Sequence, residues 1–257
     1  MILKNKMEKI HELLGYEKIK IFQNDEMFSF SLDSMLLADF IDCKGCKNII
    51  DLGCGNGPIP LFLTLKTDSL IKGIEIQKDV YELAVKSVKI NNFENQIEII
   101  NDDLKGIYKK VGANKFDVVS SNPPYFKYQE SSFINKNDYL TIARHEVMAT
   151  LDDIVSEAKK LLVDGGRFYM VHRVNRLADV ITSLEKNRFG IKKIKMIYPK
   201  ETDEDALSFL IEARKNKPSD IKVLKPVIVL DKDGNYIYNE KSSNNLMLEL
   251  DSVQFEV

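Results

Sequence analysis

The sequence predicts an α/β fold in which a doubly wound, mostly parallel sheet of seven strands carries helices on both faces. Two observations carry this. From about residue 48, short β-branched runs alternate with longer amphipathic stretches, the pattern of a parallel sheet buried between two helical layers. A glycine-rich turn follows the first of these runs and a rigid Pro-Pro turn follows the fourth, so both lie where strands deliver a chain to a site.

The strands are expected at 48–51, 71–75, 97–100, 116–120, 167–171, 191–198 and 207–213, and the helices between them at 59–66, 80–91, 151–162 and 176–186. In the second helix Val80, Leu83, Ala84, Ser87, Val88 and Asn91 recur at three-and-four spacing, with Lys86 and Lys89 on the wet side and Asp79 as its cap. Leu177, Val180, Ile181 and Leu184 form a similar stripe in the last. Ahead of this core, residues 1–40 read as a short helix, two extended pieces and a helix at 34–40 capped by Asp33. After it, 222–238 holds two β-rich runs around Asp231 to Gly234, a hairpin signal.

Composition narrows the function classes. The chain has 257 residues, 44% hydrophobic and 30% charged, with net charge −2, which is ordinary globular composition. Its longest apolar run, around Ile59 to Leu63, falls far short of the roughly 18 residues of a membrane helix. Charges occupy the N-terminus where a secretory signal would be apolar, so a cytoplasmic protein is expected. Cys43 and Cys46 have the spacing of a metal or redox pair, but no second Cys or His cluster completes a tetrahedral site. They are read as reduced thiols on a turn, and no metal is expected.

The glycine turn reads Asp51-Leu52-Gly53-Cys54-Gly55-Asn56-Gly57-Pro58. A dinucleotide fingerprint needs a sixth-position glycine, here Pro58, and the Gly-Lys-Ser/Thr of a P-loop is absent. The turn instead resembles motif I of the class I S-adenosylmethionine-dependent methyltransferases, which have a Rossmann-like fold. That resemblance implies S-adenosyl-L-methionine as cofactor and S-adenosyl-L-homocysteine as product, with Asp51, Gly53, Cys54, Gly55, Asn56 and Gly57 around the cofactor. Glu75, with Ile76, ends the second strand where a carboxylate can accept from both ribose hydroxyls. Asp102, Asp103 and Leu104 follow the third strand, where the family commonly places an acid near adenine; register favours Asp103. Singly, each acid is also a common strand ending.

The fourth strand delivers Asn122-Pro123-Pro124-Tyr125-Phe126. The prolines explain a stiff, non-helical turn but not the flanking Asn and Tyr. This tetrapeptide resembles motif IV of amino-methyltransferases acting on adenine, cytosine or a glutamine amide. The resemblance implies Asn122, Pro123, Pro124 and Tyr125 as the catalytic turn. Acceptors at the Asn122 side chain, which also borders the cofactor, and at the Pro123 carbonyl would draw the target nitrogen out of conjugation. Tyr125 and Phe126 would stack on the planar target. Neither a metal nor a covalent enzyme intermediate is required.

Three further segments are similar to the tRNA(Val) adenine-37 N6-methyltransferase family: the stretch from Phe28 through Asp33 and Ser34 to Ala38, the block Ala143-Arg144-His145-Glu146, and the segment from Lys225 to Tyr236 with its Asp-Gly-x-Tyr. The resemblance covers roughly residues 10–238 and implies tRNA as partner, N6-methyladenosine as product, and Asp33 beside the cofactor. It also implies an N-terminal extension at 1–40 packed on the cofactor site, ahead of a methyltransferase domain at 41–257. The chain departs from the family at Arg214 to Asp220 and at Lys225, in the RNA-facing C-terminal loop.

Between Gly166 and Pro226 stand 14 basic and 8 acidic residues. A basic face is the electrostatic footprint of phosphate binding, although a charge run is commonly just a solvated face. Lys192, Lys193, Lys195, Arg214, Lys215 and Lys217 are its dense parts. Lys127, Tyr128, Arg144 and His145, which flank the catalytic turn, are further RNA candidates. Three alternatives stay open: amino-methylation of another RNA or of DNA, methylation of a release-factor glutamine, and an inactive RNA-binding module.

Overall fold

All seven expected core strands join one sheet in the computed structural model, which describes residues 8–13, 16–24, 32–123 and 148–234. The described elements are β1 Glu8–Leu13, β2 Tyr16–Asn24, α1 Leu32–Phe40, β3 Asn48–Leu52, α2 Pro58–Leu63, β4 Leu70–Glu75, α3 Lys78–Ile90, β5 Ile97–Asn101, α4 Tyr108–Val111 and β6 Phe116–Ser121. Then come α5 Leu151–Leu161, β7 Leu162–Arg173, a 3-10 turn at Val174–Arg176, α6 Leu177–Lys186, β8 Phe189–Lys200, β9 Ser208–Lys215, β10 Lys222–Val223 and β11 Val227–Leu230.

The strand order is β10-β8-β9-β7-β6-β3-β4-β5, with β11 also on β8. Strands β3 to β7 run parallel, and β9 lies antiparallel to both β7 and β8. The chain builds outward from β3 through β4 to β5, then returns to lay β6 on the other side of β3. That reversal opens a crevice at the carboxyl ends of β3 and β6.

Among the described residues the sheet has nine strands rather than seven, because β10 and β11 both pair in parallel with β8. The run expected as the first arm of a hairpin thus extends the main sheet, burying Val227 and Val229. Gly234 N–H does close a turn on Asp231 O (3.1 Å), but the second arm lies outside the described residues. At the other terminus β1 and β2 form an antiparallel pair; Glu8 is already in a strand, and the short helix expected before it is not among the described residues.

Strand periodicity divides the apolar residues into two cores. Ile49, Ile71, Val118, Tyr169, Val171 and Leu210 face α1 and α2, whereas Ile50, Leu52, Val119, Phe168, Met170 and Ile211 face α5. Helix α3 buries its expected stripe, but it begins at Lys78 with Gln77 as N-cap, so Asp79 sits inside the first turn and favours the helix dipole there. Two polar residues on that helix dock the N-terminal strands. Ser87 Oγ accepts from Phe22 N–H (2.9 Å), while the Asn91 side chain accepts from Lys20 N–H (2.8 Å) and donates to Lys20 O (2.6 Å).

Lys66 seals the end of α1, donating through Nζ to the carbonyls of Ala38 (2.9 Å), Asp39 (2.6 Å) and Ile41 (2.7 Å). A lysine on the last carbonyls of a helix satisfies acceptors that have no partner inside it. Lys66→Met removes this clamp and is expected to lower unfolding free energy by about 1–2 kcal/mol, read as a lower urea midpoint at unchanged slope; an unchanged midpoint refutes the clamp.

Candidate active site

The loop after β3 is shaped by backbone that only glycine adopts easily. Gly53, Gly55 and Gly57 have φ of 73°, 57° and 95°. Gly53 and Cys54 N–H both donate to Ile74 O at 2.9 Å, folding the loop across the tip of β4. A Cβ on Gly53 or Gly55 would meet nothing within 4 Å, whereas one on Gly57 would touch Ala84 Cβ at 3.6 Å. Gly57 therefore serves helix packing, and the other two leave open space above the loop.

Glu75 is buried at the end of β4, where Oε2 accepts from Gly55 N–H (3.0 Å) and Oε1 from Gln77 N–H (2.8 Å). Two N–H groups use half of the acceptor capacity of a carboxylate. Burial raises its pKa against the pull of these amides. Asn101 Nδ2 donates to the carbonyls of Glu75 (2.8 Å) and Ile76 (3.0 Å), pinning this strand end to β5.

Asp51 lies opposite Gly73 and Ser120 in adjacent strands and is fully buried. Its Oδ1 accepts from Ser120 Oγ at 2.6 Å, while Oδ2 has no hydrogen-bond partner in the structure. Burial, and then the charge of Glu75, push this carboxyl up to about 7 against the Ser120 hydrogen bond.

The other expected cofactor residues are placed as follows. The Cys54 thiol is buried, and a Cβ on Gly73 would fall 2.7 Å from its Sγ; this residue offers the loop only its backbone. Asn56 Nδ2 donates to Phe22 O (2.9 Å), tying the loop to β2. Asp102 pairs with Lys110 (2.9 Å), and Asp103 accepts from Lys105 N–H (2.8 Å); the Lys110 hydrogen bond lowers the Asp102 pKa. Leu104 packs on the α5-side core. Asp33 Oδ1 accepts from Ser208 Oγ at 3.3 Å, across to the start of β9.

Asn122 follows β6 directly. Ser121 Oγ donates to Leu52 O (2.8 Å), fixing the backbone of β6 to β3 just before it. The Asn122 side chain donates through Nδ2 to Ser34 Oγ (3.0 Å) on α1. The crevice therefore brings Asp51, the glycine loop, Glu75, Asn122 and Pro123 to one end of the sheet. Pro124, Tyr125, Phe126, Lys127, Tyr128, Arg144 and His145 lie outside the described residues.

Part of the basic segment lies away from them. Because β9 runs antiparallel, its Lys215 end lies where the parallel strands begin, opposite Asn122; Arg214 pairs with Arg167 near the start of the β6–β7 ladder. Lys192 pairs with Asp220, Lys193 (2.7 Å) and Arg214 (3.3 Å) with buried Glu212, and Lys217 with Asp164 (3.3 Å). Lys195 sits mid-strand opposite Leu210. Lys215 corrects the sequence reading: it is buried, and its ammonium donates to Leu162 O (2.7 Å) and Asn114 Oδ1 (2.6 Å), so it is a structural lysine.

Sequence reasoning missed Ser34, Asn101 and Ser120, which support the site through side-chain bonds, and the basic stretch His172 to Arg176 at the carboxyl end of β7. His172 Nδ1 accepts from Arg173 N–H (2.9 Å); burial, then Arg176, push this imidazole down to about 3. Register alone could have flagged this stretch, since Met170 pairs with Ser121. At the other end of the sheet Arg167 donates to Cys46 Sγ (2.7 Å). Among the described residues no three His, Cys, Asp or Glu side chains are grouped to hold a metal, and no helix is long and apolar enough to cross a membrane.

The model of the methyltransferase small domain family matches residues 18–190. A tRNA1(Val) (adenine(37)-N6)-methyltransferase of Haemophilus influenzae (strain PittEE) is 29% identical over 152 residues, 58% of this chain and 64% of that protein. The chain thus spans less than two thirds of the length of this relative. Proteins of the same name match from a Flavobacteriaceae bacterium (25% over 228 residues, 88% of this chain and 93% of the relative) and from Porphyromonas gingivalis (31% over 176 residues, 66% and 68%). Among solved structures, a predicted O-methyltransferase from Agrobacterium tumefaciens superposes with a TM-score of 0.64 at 23% identity, covering 80% of this chain and 91% of that one. A tRNA m1G37 methyltransferase from M. jannaschii gives 0.58 at 17%, covering 84% and 59%.

The buried Asp51 carboxyl has a consequence for stability. In an unfolded chain it titrates near ~4, so its stabilising contribution is fully present below that pH and is lost as pH rises through about 7. Asp51→Asn keeps an acceptor for Ser120 and has nothing to ionise. In urea unfolding, the variant is expected to gain on the parent by up to a few kcal/mol between about pH 4 and about pH 8; a pH-independent difference contradicts a buried charge.

Proposed function

The chain belongs to the methyltransferase small domain family, and from that premise we propose that it transfers the methyl group of S-adenosyl-L-methionine to the exocyclic N6 of an adenine in tRNA. The observation that carries the proposal is the meeting, in one crevice, of the glycine loop, Glu75 and the Asn122-Pro123 turn. The relatives' names support the finer assignment to adenine 37 of tRNA(Val).

The residues present fit the cofactor. Open space over Gly53 and Gly55 admits a ligand to the main chain, and Glu75 retains lone pairs for two ribose hydroxyls. The unpartnered Asp51 Oδ2 offers a negative charge to a cationic ligand. Asp102, Asp103, Leu104 and Ile76 would line the adenine side. Asp33, Cys54, Asn56 and Gly57 complete the assigned set, Cys54 through its backbone. Residues 1–40 would form an extension over this site, as the bonds from Asn56 to Phe22 and from Asn122 to Ser34 suggest.

When bound, S-adenosyl-L-methionine supplies a methyl group on a positively charged sulfur. The chain's task is to prepare the acceptor. An exocyclic amine is a weak nucleophile because its lone pair is delocalised into the ring. Asn122 Oδ1 and Pro123 O, each accepting one amino hydrogen, hold the nitrogen with its lone pair turned out of the ring plane. Pro124 would stiffen this turn and Tyr125 and Phe126 would stack on the base; as the methyl leaves the sulfur for the nitrogen, the nitrogen would release one hydrogen as a proton to solvent. Rate enhancement comes from position and fixed dipoles. Lys127, Tyr128, Arg144 and His145 border this turn in sequence and are assigned to the RNA ahead of Arg214, Lys215 and Lys217 at the far end of the sheet.

Labelled methyl transfer to unmodified tRNA(Val), with other tRNAs, DNA and a release factor in parallel, tests the reading. It predicts N6-methyladenosine at position 37; transfer to DNA or to protein instead discards the tRNA assignment, and no transfer anywhere favours a binding module. Asn122→Ala is expected to abolish turnover while leaving cofactor affinity within a few-fold, and retained activity refutes its role. Glu75→Ala, which removes a charged acceptor, should weaken S-adenosyl-L-methionine binding by roughly ten- to a hundredfold in calorimetry; unchanged affinity excludes a ribose contact.

A further inference from the structure

A carboxamide serves as an acceptor only if its oxygen, and not its NH2, faces the reacting group, and the two ends are nearly the same size. In a loose site the side chain of Asn122 would sample both. Here its nitrogen is engaged, donating to Ser34 Oγ at 3.0 Å across 88 residues of sequence. Ser34 is 4% exposed and stands in the first turn of α1, a helix held in place at both ends. Asp33 Oδ1 accepts from Ser208 Oγ (3.3 Å) at one end, and Lys66 binds three carbonyls at the other. The Asn122 backbone is fixed separately by the bond from Ser121 Oγ to Leu52 O.

We infer that Ser34 is a positioning residue for methyl transfer: its hydroxyl holds the side-chain amide of Asn122 in place for the acceptor amine. The inference rests on the amino-methyltransferase reading above. A buried serine in a helix lowers local helix preference and must find a hydrogen-bond partner, so alanine would serve α1 better if packing alone were at stake. The hydroxyl instead meets the one side chain whose orientation the chemistry requires. A misaligned catalytic dipole costs on the order of a hundredfold in rate even when the group is present.

The test compares Ser34→Ala and Ser34→Thr with the parent enzyme. Ser34→Ala is expected to lower kcat about ten- to a hundredfold, with S-adenosyl-L-methionine affinity within twofold; Ser34→Thr, which restores the hydroxyl, recovers most of the loss. In an Asn122→Ala background, any residual rate should be insensitive to Ser34→Ala, because both residues act through the same amide. A second readout needs no turnover: the Asn122 side-chain amide pair in an NMR spectrum, identified by its loss in Asn122→Asp, shifts in Ser34→Ala and returns in Ser34→Thr. Parent-like kcat in Ser34→Ala, or an unmoved amide pair, overturns the inference. If the parent methylates none of the acceptors, the proposed function fails, while the amide pair still decides whether Ser34 holds Asn122.

Discussion

The carboxylate of Glu75 joins two loops that would otherwise end independently. Its oxygens take the N–H of Gly55 from the loop after β3 and that of Gln77 from the start of α3. Asn101 reaches back from β5 to the successive carbonyls of Glu75 and Ile76. The acid and the amide together tie the ends of β3, β4 and β5, and the loop carrying Gly53 and Gly55 is pulled toward β4. The sheet sets where this happens: with β6 returned to the far side of β3, the loop and the Asn122 turn are the ends of adjacent strands.

This arrangement concentrates negative charge where water is excluded. Asp51 and Glu75 are both buried, both raised in pKa by that burial, and Asp51 is raised further by its neighbour. Two buried carboxylates that repel each other are costly in an empty site and favour a cation in a filled one. S-adenosyl-L-methionine carries positive charge on its sulfur and on its amino group, and S-adenosyl-L-homocysteine has lost that of the sulfur. Facing the cofactor as proposed, these acids would favour the charged form over its neutral-sulfur product.

Much of this was legible in the sequence where the constraint is local. Positive φ at Gly53, Gly55 and Gly57 leaves glycine almost the only residue for the turn, and strand periodicity announces which residues face each core. The supporting partners were not legible, because they are pairings across the fold. Ser120 finds Asp51 across 69 residues and Ser34 finds Asn122 across 88, and no spacing rule links them. Residues 222–230 looked like a hairpin arm because Asp231 to Gly234 is a local turn, whereas pairing with β8 depends on an edge formed far earlier in the chain. The lysines' partners were hidden for a related reason. A charge run says nothing of the acids opposite, and Glu212, Asp220 and Asp164 reach theirs only through the sheet.

That charge geometry bears on how a nucleic acid would be held. With Lys193 and Arg214 committed to Glu212, and Lys215 to a carbonyl, part of the basic surplus of the C-terminal half is tied up inside the sheet. A surface ion pair is worth little and yields readily, but Glu212 is 1% exposed, and stripping its cations would strand a buried charge. The carboxyl end of β7 offers no looser set, since Arg176 there is buried and holds Asp179 at 2.8 Å, beside a histidine that burial keeps neutral. A phosphate contact at either place would therefore cost an existing pair before it gained a new one.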